Sequence, residues 1–352
     1  MKRLFSIITA IFLLPAMFLI SGCNWFKKSS KNPQTPKEFV YELSADGKSI
    51  YFGEYPQTIK ADNVTVSQFS DRDGYYLGSD GEKYQKLVID YSTFAYNEEE
   101  TNLYNFNKLS NGHKFVDGET LYFKIEKIKW DIVTNDDGDL FVICDTIIDH
   151  SLYQQYSKYD REASIHYITD KDGNWIYNED GQTKIPAHYY SYSTIRQFLS
   201  NSFYNMAFDS KQKSMIPLTS LSSKHRDSYY GDDFNDKSNN YVFEFDFNDF
   251  DKSYKNYKYK QTTDYAKARG CFTATQEFFD IVGLTYMGTP VDWEFYKKYL
   301  NTGSYWTRTM YHYYMPVICR FGEDDYEERY NVRLNSTGVV PAMYVNLNQN
   351  KD

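Results

Sequence analysis

The sequence predicts an α+β domain, mostly antiparallel β-strands with a few short helices. Three observations carry that expectation. Leu121–His150, LYFKIEKIKWDIVTNDDGDLFVICDTIIDH, reads as two long strands joined by a tight acidic turn, and Gly138 in that turn can take the positive φ that a hairpin loop needs. Aromatic residues make up 19% of the chain, with 36 Tyr, far more than a disordered chain carries. Helical spacing is confined to short segments, clearest from Tyr192 to Phe208.

At the amino terminus, Met1-Lys2-Arg3 is a short basic region and Leu4 to Ile20 an apolar segment interrupted by Pro15. Leu19-Ile20-Ser21-Gly22-Cys23 then resembles the lipobox of bacterial lipoprotein precursors. The resemblance implies a signal peptide over residues 1–22 and an acylated Cys23 as first mature residue, with a diacylglyceryl thioether on its sulfur. Two or three acyl chains anchor a protein stably where one does not. A membrane-spanning helix and an ordinary cleaved signal are the alternatives, but the apolar run is near the lower limit for spanning. Residues 23–40 read as a polar tether with Pro33 and Pro36, and 41–352 as a single domain. The expected partner of Cys23 is a lipid bilayer, and the expected location extracytoplasmic.

The formal charge is -9, and about -11 once Lys2 and Arg3 leave with the signal. An acidic surface argues against nucleic acid as a partner. Beyond Cys23, three cysteines are left, Cys144, Cys271 and Cys319, so at most one disulfide can form. Cys144 sits in an apolar strand as a small buried hydrophobe, and Cys271–Cys319 is the one pairing to consider.

Along the chain, Ser49 to Thr58 predicts a strand broken by Gly53 and Pro56. Tyr75 to Leu77 and Tyr84 to Tyr91 predict two more strands around an Asp80-Gly81 turn. Ser92 to Gly118 reads as a long surface loop. After His150, His166 to Thr169, Asn174 to Tyr177 and Gln182 to Ile185 are separated by Asp-Gly turns, the pattern of a small meander. In the helix from Tyr192 to Phe208, Ser193 can cap, and Ile195, Phe198, Leu199, Phe203 and Met206 share a face. A shorter helix from Asp209 to Ile216 ends at Pro217. Residues 220–262 are polar and acidic apart from a strand-like Tyr241 to Phe247, and read as an insertion. Thr263-Asp264 caps a brief helix closed by Gly270; Thr275 to Val282 and Val291 to Leu300 also read as helical. Ser304 to Thr309, Met315 to Phe321, Glu328 to Leu334 and Ala342 to Leu347 close the chain as strands.

Several landmarks form an ordered series: Phe52 to Thr58, Ile128 to Val133, Ile148-Asp149, Ser193 to Leu199, Thr263 to Gly270, Tyr305 to Thr309 and Gly338 to Ala342. In that order they resemble domain of unknown function six-two-seven-three, found in bacterial surface proteins and lipoproteins, over about Ile50 to Leu347. That family usually carries an arginine before the closing proline-alanine, where this chain has Val340. The closing strands with Trp306-Thr307-Arg308 are also similar to the C-type-lectin-like fold of the formylglycine-generating family. That implies twisted antiparallel strands carrying long loops; no activity follows, because Cys271 and Cys319 do not match the copper-binding pair of those enzymes.

Arg196 and Arg308 stand out because arginine is scarce beside lysine, and each lies in a segment otherwise apolar. With Trp306 they are candidate ligand-binding residues, since a guanidinium can grip a carboxylate with two hydrogen bonds. The competing role is internal, pairing with Asp149, Asp131 or a backbone carbonyl. The six histidines have no zinc spacing and no nucleophile elbow is present, so neither a metal nor a catalytic set is assigned. Calcium is the one cofactor to consider, at Asp170 to Asn174, Asp232 to Asp236 or Asp246 to Asp251, none of which matches an EF-hand loop. The expected function is a non-catalytic envelope lipoprotein that binds a glycan, peptide or envelope protein through the tyrosine-rich loops after His150. An enzyme on the same scaffold, using Cys271, Cys319 or a carboxylate pair, and a purely structural envelope protein are the alternatives.

Overall fold

In the computed structural model the described residues are 39–92, 108–163, 165–223, 236–246, 249, 260–276, 285–286, 289–290, 294, 297, 299–311, 315–319, 327–329 and 337–350. Cys23, the apolar segment before it, the tether to residue 38 and most of the two helices expected between 275 and 300 lie outside them. The fold is α+β, mostly antiparallel strands with short helices.

The main sheet grows from β1 (Tyr41–Leu43), β2 (Ser49–Ile59), β3 (Tyr76–Leu77), β4 (Lys83–Val88), β5 (Thr120–Asp136) and β6 (Asp139–Cys144). β5 is 17 residues long and organises the rest. Phe123 opposes both Ile59 of β2 and Gln85 of β4, while Trp130 opposes Ile50 of β2 and Cys144 of β6. One edge of β5 therefore carries β2, and its other edge carries β4 and then β6. Beyond β6 the sheet continues through Pro341–Asn346 and ends on Val242–Glu244. So 220–262, expected as an insertion, carries an edge strand of this sheet in which Val242 and Phe243 are fully buried.

The β5–β6 turn has Asp137 at φ 53 and Gly138 at φ 95. Two consecutive positive φ values make the two-residue loop whose twist matches that of its strands. The second strand is shorter than expected, ending at Cys144 rather than running on to His150. Thr146–Ile147 turns away to pair in parallel with Gln261–Thr262, and Asp149–His150 pairs with Gly338–Val339 in a second, five-stranded sheet. That sheet also holds Tyr305–Tyr311, Met315–Cys319 and Glu327–Arg329. β2 is likewise continuous where a break was expected. The ladder slips between Tyr51 and Glu54 and between Pro56 and Ile59, so Gly53 and Pro56 mark bulges. Gly53 has φ 76, and a Cβ there would lie 2.6 Å from the Phe208 ring and 2.8 Å from the Ala207 carbonyl oxygen. The glycine is what lets the helix lie this close.

That helix runs through Thr194–Gln197, a π segment at Phe198–Phe203, and Tyr204–Ala207. Ser193 caps it by accepting from the Arg196 amide. Ile195, Leu199, Phe203 and Ala207 are buried, whereas Met206, expected on the same face, is 39% exposed. The π segment accommodates an extra residue and rotates the final helical turn, so Ala207 takes the inner position. Phe208 then packs against Phe52 and Trp130, with ring centroids 5.4 and 6.3 Å apart. The shorter helix, Ser210–Ser214, starts on a capping box formed by Asp209 and Gln212. Asp264–Ala268 is capped by Thr263, which accepts from the Ala266 amide.

Candidate functional site

The arginines come first, because their surroundings decide what they can do. Arg196 donates from Nε to Asn240 Oδ1 at 2.7 Å, and from its terminal nitrogens to the Ser191 and Asn239 carbonyls at 3.0 Å. Arg308 is 2% exposed; it pairs with Asp246 at 3.5 Å and with Asp249, and donates to the Ser222 carbonyl at 3.3 Å. Trp306 is fully buried, donates to the Ser151 carbonyl at 3.0 Å and packs on Tyr153. In these positions all three tie elements of the fold together. Neither Asp149 nor Asp131 answers Arg196 or Arg308. Asp149 accepts from the Tyr55 hydroxyl at 2.5 Å and pairs with Arg269 at 3.1 Å, while Asp131 pairs with the buried Lys260 at 2.9 Å. Val340, where the family places arginine, is fully buried.

The acidic turns are also internally engaged. Asp170 accepts from the Asp172 and Asn174 amides, both at 2.9 Å, and from the Asn174 side chain at 3.0 Å. Asp246 and Asp249 face Arg308, and Asp232 and Asp233 lie outside the described residues. Cys271 is a buried thiol that donates to the Asp149 carbonyl at 3.3 Å. Burial pushes the Cys144 thiol up to about 12 and the Cys271 thiol well above its ordinary value, so neither is a ready nucleophile. The side chain of Cys319 lies outside the described residues.

The passage after His150 forms a different kind of surface. Ser157–Asp160 and Ile165–Ile168 pair antiparallel, placing Lys158 opposite Tyr167. Thr169 then bridges Trp175, Tyr177 bridges Lys184, and Tyr167 bridges Pro186. Asn174 to Tyr177 and Gln182 to Ile185, expected as full strands, form isolated bridges rather than ladders, supported by backbone hydrogen bonds such as Ile176 N–H to the Ile168 carbonyl and Ile185 N–H to that of Ile176, both at 3.1 Å. Alternation along the meander puts Lys158, Tyr167, Tyr177 and Lys184 on one face. The Lys184 ammonium lies 4.5 Å from the Trp175 ring centre and 5.3 Å from that of Tyr167, and Lys158 lies 5.5 Å from Trp175. Tyr167 and Trp175 meet edge to face at 5.9 Å. Asp160 holds Lys184 in place at 2.6 Å, and that hydrogen bond keeps the Asp160 carboxyl below its ordinary range. Tyr177 is 42% exposed, and Tyr167 and Trp175 are half-buried.

The result is an aromatic cluster in which the Lys184 ammonium lies over the Trp175 and Tyr167 rings and that of Lys158 over Trp175, with the exposed Tyr177 opposite Lys184. Such a cluster can offer the exposed Tyr177 ring to apolar C–H groups and the lysine ammonium groups as polar donors to hydroxyls around them. The two lysines were not legible as site residues. Their signal was present in the two-residue alternation, which puts Lys158 across from Tyr167 once the hairpin register is known.

Residues 166–347, just over half of the chain, match the profile of the family described as a domain of unknown function, DUF6273. No curated protein and no solved structure matches the chain.

Proposed function

Taking as premise that the chain belongs to the DUF6273 family, we propose that it is a lipid-anchored envelope protein whose domain binds glycans, non-catalytically, on the Tyr167–Trp175–Tyr177 cluster. The observation that carries this reading is the partly exposed, lysine-capped aromatic cluster, built on strands whose other residues anchor in the core. Ile168 and Ile185 are 5% and 2% exposed, so the cluster is fastened from beneath. Exposed aromatic rings cost solvation and are retained where they meet a partner. The lipobox-like Leu19 to Cys23 supports attachment to a bacterial membrane, with the polar tether carrying the domain clear of the headgroups.

The test is a glycan array probed with the soluble Tyr41–Asp352 portion. Saturable binding is expected to at least one glycan class, weakened about tenfold or more by Trp175→Ala, a loss of roughly 1.4 kcal/mol. Silence across the array overturns the reading. So does binding that survives Trp175→Ala combined with Tyr177→Ala. Globomycin-sensitive processing, or a labelled fatty acid that incorporates into the chain and is lost in Cys23→Ser, checks the anchor.

A further inference from the structure

A second recess lies away from the aromatic cluster, where the 109–122 loop meets the end of β2. It has a volume of about 400 Å³ and opens to solvent. Its apolar wall is Ile59, Leu121 and Tyr122, and its polar rim includes Asp62, His113 and Glu119. We propose that this recess binds an alkylammonium, the side chain of a peptide lysine or an equivalent diamino acid.

The rim is held in place by bonds that leave its acceptors turned outward. Buried Asp264 accepts from the Ile59 amide at 3.1 Å, the Ser110 amide at 2.7 Å and the Ser110 hydroxyl at 2.5 Å, pinning both borders of the recess to one helix end. Residues 109–113 form a closed turn, with the Gly112 amide donating to the Leu109 carbonyl and the Leu109 amide to that of His113. Glu119 accepts from the Val116 amide at 3.0 Å through one oxygen and faces His113 Nε2 at 2.7 Å through the other. A carboxylate at that distance fixes the proton on Nε2 in the neutral ring, which leaves Nδ1 as a hydrogen-bond acceptor.

The charges select the sign of the ligand. Lys60 also lines the recess, and its ammonium is held to the backbone by donating to the Ala61 and Val64 carbonyls at 3.0 and 2.7 Å. Asp62 is exposed and has no ion pair among the described residues. An incoming ammonium thus meets Asp62 and the Glu119 carboxylate, and the Nδ1 lone pair of His113 in its neutral form. Its methylene stem has Ile59 and Leu121 to lie against, as long cationic side chains do on apolar walls. A chain of formal charge -9 also steers cations toward itself rather than anions. An anionic ligand would face two carboxylates against the single Lys60 ammonium, which is already bonded to two carbonyls.

The test uses the full-length chain in detergent and ligand-detected NMR with two probes, Nα-acetyl-lysine methylamide and Nα-acetyl-norleucine methylamide, the second keeping the four-carbon side chain without the ammonium. The lysine probe is expected to bind saturably and at least fivefold more tightly than the norleucine probe. That preference is expected to vanish in Asp62→Asn and in His113→Ala, with circular dichroism unchanged. Asp62 is exposed, so its variant keeps the test informative if the histidine variant misfolds. Absence of binding by the lysine probe, equal binding of the two probes, or a preference that survives Asp62→Asn overturns the assignment.

Discussion

Glu244 is fully buried, and neither of its carboxylate oxygens has a hydrogen-bond partner among the described residues. Its burial raises the carboxyl pKa well above the ordinary 4.5. The unfolded chain therefore releases this proton at a lower pH than the folded one. Stability from Glu244 is present in full below 4.5 and is lost as pH rises toward the folded value, by up to about 1.4 kcal/mol per pH unit. Urea titrations of Glu244→Gln across that range are expected to show a flatter dependence on pH than the native chain, and an unchanged slope would contradict this. Arg308 carries the opposite risk, since removing it strands two partly or wholly buried carboxylates. Arg308→Met is expected to cost about 3–5 kcal/mol in the same titration. Both arginines were conspicuous in the sequence by their scarcity and apolar neighbours. The carboxylate partners of Arg308 were not, because Asp246 and Asp249 lie some sixty residues away in a stretch whose polarity reads as peripheral.

Among elements, the two critical glycines separate a soft contact from a hard one. A Cβ at Gly138 would meet the end of the Asn348 side chain at 2.8 Å, which can swing aside, so Gly138→Ala is expected to cost about 1 kcal/mol through its φ alone. At Gly53 the obstacle is the Phe208 ring and a backbone carbonyl. Gly53→Ala must move a helix and is expected to cost roughly 2–3 kcal/mol, so thermal melts should rank it well below Gly138→Ala. Trp130 is fully buried and donates to the Phe52 carbonyl at 2.7 Å. Trp130→Ala is expected to cost roughly 3–5 kcal/mol, and a melt that does not move would contradict the role given to it. The β5–β6 hairpin, the caps at Ser193 and Thr263, and the closing strands at Ser304 to Thr309 and Ala342 to Leu347 were legible because their determinants sit within a few residues. The sheet switch at Asp145 was hidden, since a single aspartate between the apolar runs Leu140 to Cys144 and Ile147-Ile148 does not by itself mark a change of sheet, and only distant partners divide the two. So was the π turn that exposes Met206.

At the scale of the whole molecule, the family match begins at His166, yet its strands Val242–Glu244 and Pro341–Asn346 complete a sheet founded on β5 and β6. A fragment starting at residue 166 is therefore expected to lack cooperative unfolding, while Val40–Asp352, which forms one compact unit, melts as a two-state transition in calorimetry. A well-folded 166–352 fragment would refute this. Most of the molecule's organisation is of this long-range kind, which is why strand positions could be read from the sequence but strand order could not.

The position of Pro341–Asn346, between β6 and Val242–Glu244, also sets a schedule. About 200 residues separate β6 from the strand that covers it, so at ordinary synthesis rates roughly 10–40 s pass before the gap can be filled. Through that interval the nascent chain has a sheet with a vacant central lane, and Phe141, Val142 and Ile143 stand at its margin. A sheet whose inner strand comes about 200 residues late keeps the unpaired edge of β6 open for that time, and an open edge of this kind invites pairing with another chain.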